Sequence, residues 1–281
     1  MSNNSRSKST PTIFGQELQT ALLANIRYQY RQKSTLNEDL QINAGVYPSV
    51  NPTMGYYVIG NRGNDIQVGI NGIKLNKEIP HLPVHGGLYG ILPFVVRPLT
   101  EDLTQQERAK YALRKIITVG SIQYIAYYLK RLDKSSASIS TKIITTAPDG
   151  SVSESTYATS DSTLRPTPVA VSQNEAQILA AQYADTTLPL PFVLTAAEVA
   201  EILNASRILY GDEAYADISE IGICAGVDKE VALADSSTMV EAIGVQIISF
   251  TYIQYPLIHL RAGIQSTLDV GNGEPMLLLD M

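Results

Sequence analysis

His81 and His85 stand four residues apart in the segment HLPVHGG. On a helix that spacing stacks two imidazoles over one metal ion, and zinc enzymes add a glutamate between them as base. Here Pro83 lies between the two, Gly86 and Gly87 follow, and no glutamate intervenes. These residues break a helix, so the segment is expected to be a loop whose histidines bond backbone groups. The third and last histidine, His259, falls in a distant strand-like run. No metal site is expected, and no cofactor.

Other chemistries have equally little footing. GNRGND (residues 60–65) and GNGEP (271–275) are glycine-rich, but neither has the GxxxxGK[ST] spacing of a phosphate loop or the GxGxxG spacing of a dinucleotide fingerprint, so both are expected to be turns. No GxSxG nucleophile elbow is present. A dispersed Ser-His-Asp site is compatible with any spacing, although three histidines leave little to build it from. Glu101-Asp102 and Asp212-Glu213 sit where loops meet helices, which favours solvated caps over a catalytic pair. Cys224 is the only cysteine and lies in the apolar run IGICAG. It is expected to be a buried, inert thiol, with no disulfide possible within the chain. No catalytic, cofactor-binding or metal-binding residue is assigned.

Two charged residues invite a structural role. In ISEIG, inward-facing Ile221 and Ile223 would turn Glu220 to the other face, exposed or paired with a basic residue of a neighbour. Arg97, between Val96 and Pro98, is expected to bridge Glu101 or Asp102 within the chain, with contact to another subunit as the alternative.

The surrounding elements mix strands and helices. Residues 13–32 read as a helix with Thr12 as N-cap and Phe14, Leu18, Leu22 and Ile26 on one face. Tyr56–Ile59 reads as a strand, and Gly60–Gly63 as a turn of positive φ leading into a hairpin with 66–70; Asn71-Gly72 marks a second turn. Leu88–Val96 reads as a strand that Pro93 confines to an edge or a bulge. Thr104 and Glu107 have the form of a capping box, and the spacing of Ala109, Ala112, Leu113, Ile116 and Ile117 predicts a helix beyond it. The segment SIQYIAYYLKRLD, rich in aromatic and β-branched residues, is read as a strand.

From 134 to 170 serine and threonine dominate, and SASISTKIITTA and SVSESTYATS flank the turn Pro148-Asp149-Gly150. An exposed polar hairpin is expected there. Residues 172–182 read as weakly helical, and Pro189 and Pro191 interrupt Leu188–Phe192. Thr195 and Glu198 form a second capping box, opening a helix that Gly211 ends. Ile218–Ala225 reads as a short strand closed by a turn near Gly226–Asp228, and Thr238–Leu260 as the longest strand. No βαβ rhythm and no repeat at solenoid spacing appear. The expected fold is α+β: a mainly antiparallel β core with about three helices and the Ser/Thr-rich hairpin. Residues 1–12 are expected to be a flexible arm, and 13–281 a single domain with an excursion at about 134–170.

Composition narrows the class. The 281 residues carry a formal net charge of −6, with 44% hydrophobic and 17% charged residues. An acidic balance without a Lys/Arg cluster argues against sequence-specific nucleic-acid binding. MSNNSRSKSTP has no apolar signal core. The longest uncharged run, Ala242–His259, is interrupted by glutamines and Pro256 and is rich in β-branched residues, so a buried strand is expected rather than a membrane span. The chain has 16 tyrosines and no tryptophan, and tyrosine joins apolar area to a hydrogen-bonding tip, which suits both strands and interfaces.

Three segments carry a family resemblance: YYVIGNRG (56–63), LPFVVRPLTEDLTQQERAKYALRK with YIAYYLKRLD (92–133), and ISEIGICAGVDKE (218–230). Together they resemble virion structural proteins of tailed bacteriophages, of the neck, collar, head-tail connector or tail type. The resemblance implies a part of a particle and not an enzyme. It implies a homo-oligomeric ring at the neck or collar that meets connector or tail subunits through extended arms, made in the host bacterial cytoplasm and residing in the virion. A tail or baseplate component is the alternative within the class. Outside it stand a soluble hydrolase using Ser and His, and a ligand-binding domain using its tyrosines. On the assembly reading, trimming the arm or deleting 135–165 should spare the fold and block assembly.

Overall fold

The computed structural model describes residues 7–68, 74–147, 149–160, 164–165, 181–233, 236–253, 263–271 and 276–278. The expected turn at Asn71-Gly72, the helix over most of 172–182, Pro148 of the hairpin turn, residues 272–275 of GNGEP and the continuation of the last long strand through His259 lie outside them. So do residues 1–6 of the expected arm.

In chain order the described elements are β1 (Ser7–Pro11), α1 (Ile13–Ala24), α2 (Leu36–Asp39), β2 (Thr53–Gly60), β3 (Asn64–Val68), β4 (Lys74–Glu78), β5 (Ile91–Leu92), β6 (Val95–Pro98), α3 (Gln105–Arg108), β7 (Tyr111–Val119) and β8 (Ile122–Arg131). β9 (Ser140–Thr146), β10 (Val152–Thr156), β11 (Ala181–Leu194), α4 (Ala196–Tyr210), a 3-10 turn (Glu213–Ala216), β12 (Glu220–Ala232), β13 (Thr238–Ile253), β14 (Ile264–Gly271) and β15 (Met276–Leu278) follow. The class is α+β with a mainly antiparallel β core, and four α-helices, rather than about three, lie among the described residues.

The chain divides into two compact units, Met1–Leu132 with Phe192–Ser266, and Asp133–Pro191 with Thr267–Met281. The first carries an eight-stranded sheet in the order β1-β13-β12-β2-β8-β6, with β5 on β2 and β7 on β8. Its core gathers Val58, Val96, Leu113, Ala126, Leu129, Cys224, Val245, Ile247 and Phe250, all buried. In the second unit β10 pairs with β9, and β9 with β11, both antiparallel.

Where local signals and cross-strand packing agree, the sequence reading holds. Thr12, Thr104 and Thr195 are N-caps, and the latter two close full capping boxes with Glu107 and Glu198. Gly211 ends α4 in the left-handed conformation, φ 79°. β8 is a strand, and β9 and β10 form the expected hairpin.

Several expectations are corrected. The helix after Thr104 stops at Arg108, and the residues expected to continue it form β7. Tyr111 and the run Ile116–Val119 favour an extended chain, and Gly120, at φ 62°, returns it onto β8 with Val119 opposite Ile122. A bulge at Tyr111–Leu113 leaves Ala112 and Leu113 both buried, which mimics helical spacing.

The first helix ends at Ala24 because Asn25 takes the left-handed conformation, and Leu22 and Ile26 are exposed. β3 pairs with β4 and not with β2. Pro189 and Pro191 do not interrupt a strand but sit inside β11, where alternate positions place both missing donors on one edge. β12 runs through Gly226–Asp228 to Ala232, accommodating them with bulges instead of a turn. Of the expected flexible arm, Ser7–Pro11 are paired along Ser249–Ile253 at the edge of the large sheet.

Candidate functional site

Three segments bring their polar groups to one buried point in the first unit. β12 lies between β13 and β2, and consecutive residues from Glu220 to Gly226 are all buried, so both its faces are covered there and Glu220 has no exposed side to occupy. The loop between β4 and β5 lays His81 against it: His81 Nε2 is 2.8 Å from Glu220 Oε2, and neither side chain is exposed. The expected exposure of Glu220 is corrected; the alternation was right, but the loop carrying His81 covers the second face.

The chain is shaped around this carboxylate. Backbone N–H groups of Arg62 (2.9 Å) and Gly90 (3.2 Å) donate to Oε1, and that of Tyr89 donates to Oε2 at 2.9 Å. A Cβ at Gly60 would come within 2.8 Å of Oε1, and one at Gly63 would strike the Ser219 carbonyl. Gly63 N–H also donates to Ser219 Oγ at 2.9 Å. The glycines of GNRG thus serve close approach to Glu220, and neither has positive φ. That is why β2 does not turn into the expected hairpin.

Hydrogen bonding favours one proton arrangement. Three backbone N–H donors converge on the Glu220 carboxylate, an arrangement that suits His81 Nε2 as a fourth donor. Leu82 N–H donates to His85 Nδ1 at 3.2 Å, so that nitrogen carries a lone pair. His81 Nδ1, 3.4 Å from the same atom, is the donor on that side of a long contact. In this arrangement His81 donates from both nitrogens, while His85 accepts. Burial, then the charge on His81, holds His85 below the ordinary histidine pKa, which keeps it in the accepting form. The His81 ring is stacked between Phe250 (4.0 Å, 8°) and Tyr89 (4.3 Å, 17°), and the Tyr89 hydroxyl donates to the Pro80 carbonyl.

This arrangement ties a loop to a sheet. His81 uses one nitrogen toward Glu220 and the other toward His85, and among the described residues no group of three or more His, Cys, Asp or Glu side chains is arranged to hold a metal ion. The loop is anchored outward as well. Ile13 N–H donates to the Pro83 carbonyl at 2.9 Å, and Gly86 leaves room only for Ser34 and Phe14. Thr12 joins the same corner: its hydroxyl donates to the Ile247 carbonyl at 2.7 Å and its N–H to that of Ile248 at 3.0 Å. The imidazole–carboxylate cluster and the attachment of β1 to the sheet are therefore neighbours.

The remaining charged candidates are placed as follows. Arg97 pairs with Glu201 of α4, not with Glu101 or Asp102. Asp102 instead receives Arg108 (3.2 Å), Arg114 (3.0 Å) and the Tyr127 hydroxyl (2.6 Å). Glu101 is exposed, Asp212 caps the 3-10 turn, and Glu213 pairs with Arg207. Cys224 is fully buried, and burial pushes its thiol far above the ordinary range. A groove of about 310 Å³ is bordered by Arg108, Arg131 and Asp228. Arg131 and Asp228 are bonded to each other at 2.9 Å, with the Tyr56 hydroxyl on the same carboxylate at 2.6 Å.

The pairing of His81 with Glu220 joins residues 139 apart, which no local motif announces. Its only trace is an acid inside an otherwise apolar run, together with glycines in excess of what turns require.

A family model described as a family of unknown function (DUF7208) matches residues 1–281. No curated protein and no solved structure matches the chain.

Proposed function

We propose that this chain, which belongs to the DUF7208 family, is a structural subunit of a tailed-phage particle. In this reading it forms a ring at the neck or collar by adding strands across subunit boundaries, with a tail or baseplate position as the alternative. The observation that carries the reading is the edge position of β1. This segment is remote in sequence from β13, yet it completes the large sheet through backbone pairing from Ser7 to Pro11. Strand addition of this kind supplies affinity through main-chain hydrogen bonds and works equally well between chains.

β10 supports the same reading. Among the described residues it is the edge of its sheet, and all five of its residues are exposed. Ala147 N–H donates to the Ser151 carbonyl and Tyr157 N–H to that of Thr141, which sets the register of the ladder. The N–H groups of Val152, Glu154 and Thr156 then point away from β9, as a template for a further strand. The segments that resemble phage virion proteins, 56–63, 92–133 and 218–230, fall largely on the strands of the eight-stranded sheet.

The test is removal of residues 1–11, leaving Thr12 to cap α1. The shortened chain should fold, with a circular dichroism spectrum close to that of the intact protein, and fail to assemble. Assembly equal to that of the intact chain would sink the reading.

A further inference from the structure

We infer that the His85–His81–Glu220 cluster is an acid-sensitive clasp that governs how firmly β1 is held on the sheet. The inference rests on the proposed role of β1 as an exchangeable strand, and it adds the regulation of that strand.

His81 is held by Glu220 on one side and gives its other N–H toward His85 Nδ1, 3.4 Å away. That same His85 nitrogen accepts from Leu82 N–H. A proton on His85 Nδ1 abolishes both acceptances at once and sets two cationic rings in contact, with ring centroids 5.6 Å apart. The groups around the pair offer little compensation. Glu220 of β12 is already committed to His81 and three backbone amides. Phe250 and Tyr252 of β13 and Phe14 of α1 are uncharged, Tyr89 is engaged with Pro80, and the Asp39 carboxylate of α2 faces Gly87. Relief comes from movement of the loop from His81 to Tyr89.

That loop holds the base of β1. Pro83 accepts from Ile13 N–H, beside the Thr12 bonds that end β1. Because His85 titrates below its ordinary 6.5 in the folded chain, the unfolded or opened loop binds the proton more readily. Closure is complete above about pH 6.5 and weakens as pH falls through the folded value.

The experiment is amide hydrogen exchange of the full chain, kept dilute so that it is read on the free subunit, at about pH 7 and about pH 5. Protection factors, which remove the intrinsic pH effect, are compared at Ile13 and Thr12. Protection should fall about tenfold at the lower pH, about what the net loss of one hydrogen bond is worth. His85→Asn keeps an acceptor near the Nδ1 position but cannot titrate, and should hold protection constant between the two conditions. Unchanged protection in the wild type, or an equal fall in His85→Asn, overturns the clasp. Because exchange is read on the free subunit, failure of the clasp is separate from failure of assembly, which is read by mass.

Discussion

His81 Nε2 and Glu220 Oε2 stand 2.8 Å apart with both side chains wholly shielded from solvent. A buried pair of this kind contributes little to net stability compared with an apolar replacement of both partners, but removing one partner strands the other. Glu220→Gln should therefore destabilise the chain by about 3–5 kcal/mol. Urea unfolding curves of the two proteins measure this, and a loss near zero would mean the pair is not closed in solution.

Close approach makes a second prediction at Gly63, where an added Cβ meets the Ser219 carbonyl and the Glu220 side chain. Gly63→Ala should cost about 1–3 kcal/mol, the range for overpacking. Gly45, at φ 72° with open space around it, separates the two causes, since an alanine there meets backbone strain alone.

Two ion pairs should differ sharply. Arg97 and Glu201 are partly exposed, at 34% and 26%, so Arg97→Ala should cost about 1 kcal/mol or less. Asp102 holds two arginines and a tyrosine hydroxyl in a more enclosed setting, and Asp102→Asn should cost about 3 kcal/mol. Thermal denaturation of both variants decides whether Asp102 is the hub that its partners imply.

Glu241 gives a pH dependence of known sign. Burial raises its carboxyl above the ordinary 4.5, so the folded chain holds that proton more tightly than the unfolded one. Stability from this group is present below about pH 4.5 and is lost as pH rises through the folded value. Glu241→Gln should raise the melting temperature at neutral pH, and the gain should close toward pH 4.5. A gain that is constant with pH would assign the effect to packing instead.

The position of β10, outermost in its sheet among the described residues, predicts a variant that affects assembly alone. Glu154→Pro removes an outward-pointing N–H and leaves the ladder to β9 intact, since proline is tolerated on such edges. Its melting temperature should match the wild type while its assembled mass falls.

Local chemistry was the legible part of the fold. Thr104 and Thr195 announce their capping boxes because the partner glutamate lies three residues away, and Gly211 ends α4 for an equally local reason. Tyr111–Val119 was misread because a bulge set Ala112 and Leu113 side by side, and only the ladder to β8 distinguishes this from helical spacing. Glu220 was turned outward because alternation assigns a face to a residue but does not say that the second face is covered. That cover is the loop carrying His81, which reaches β12 across 139 residues of sequence. The clustering of His81 with His85 was legible as a spacing, and its partner was not.

The central claim is assembly through added strands, and the most direct measurement is molar mass by light scattering across a concentration series. The account predicts a discrete multiple of the 30.6 kDa chain for the intact protein, lost when residues 1–11 are removed. A mass of one chain at every concentration, or the same multiple with and without residues 1–11, would contradict it.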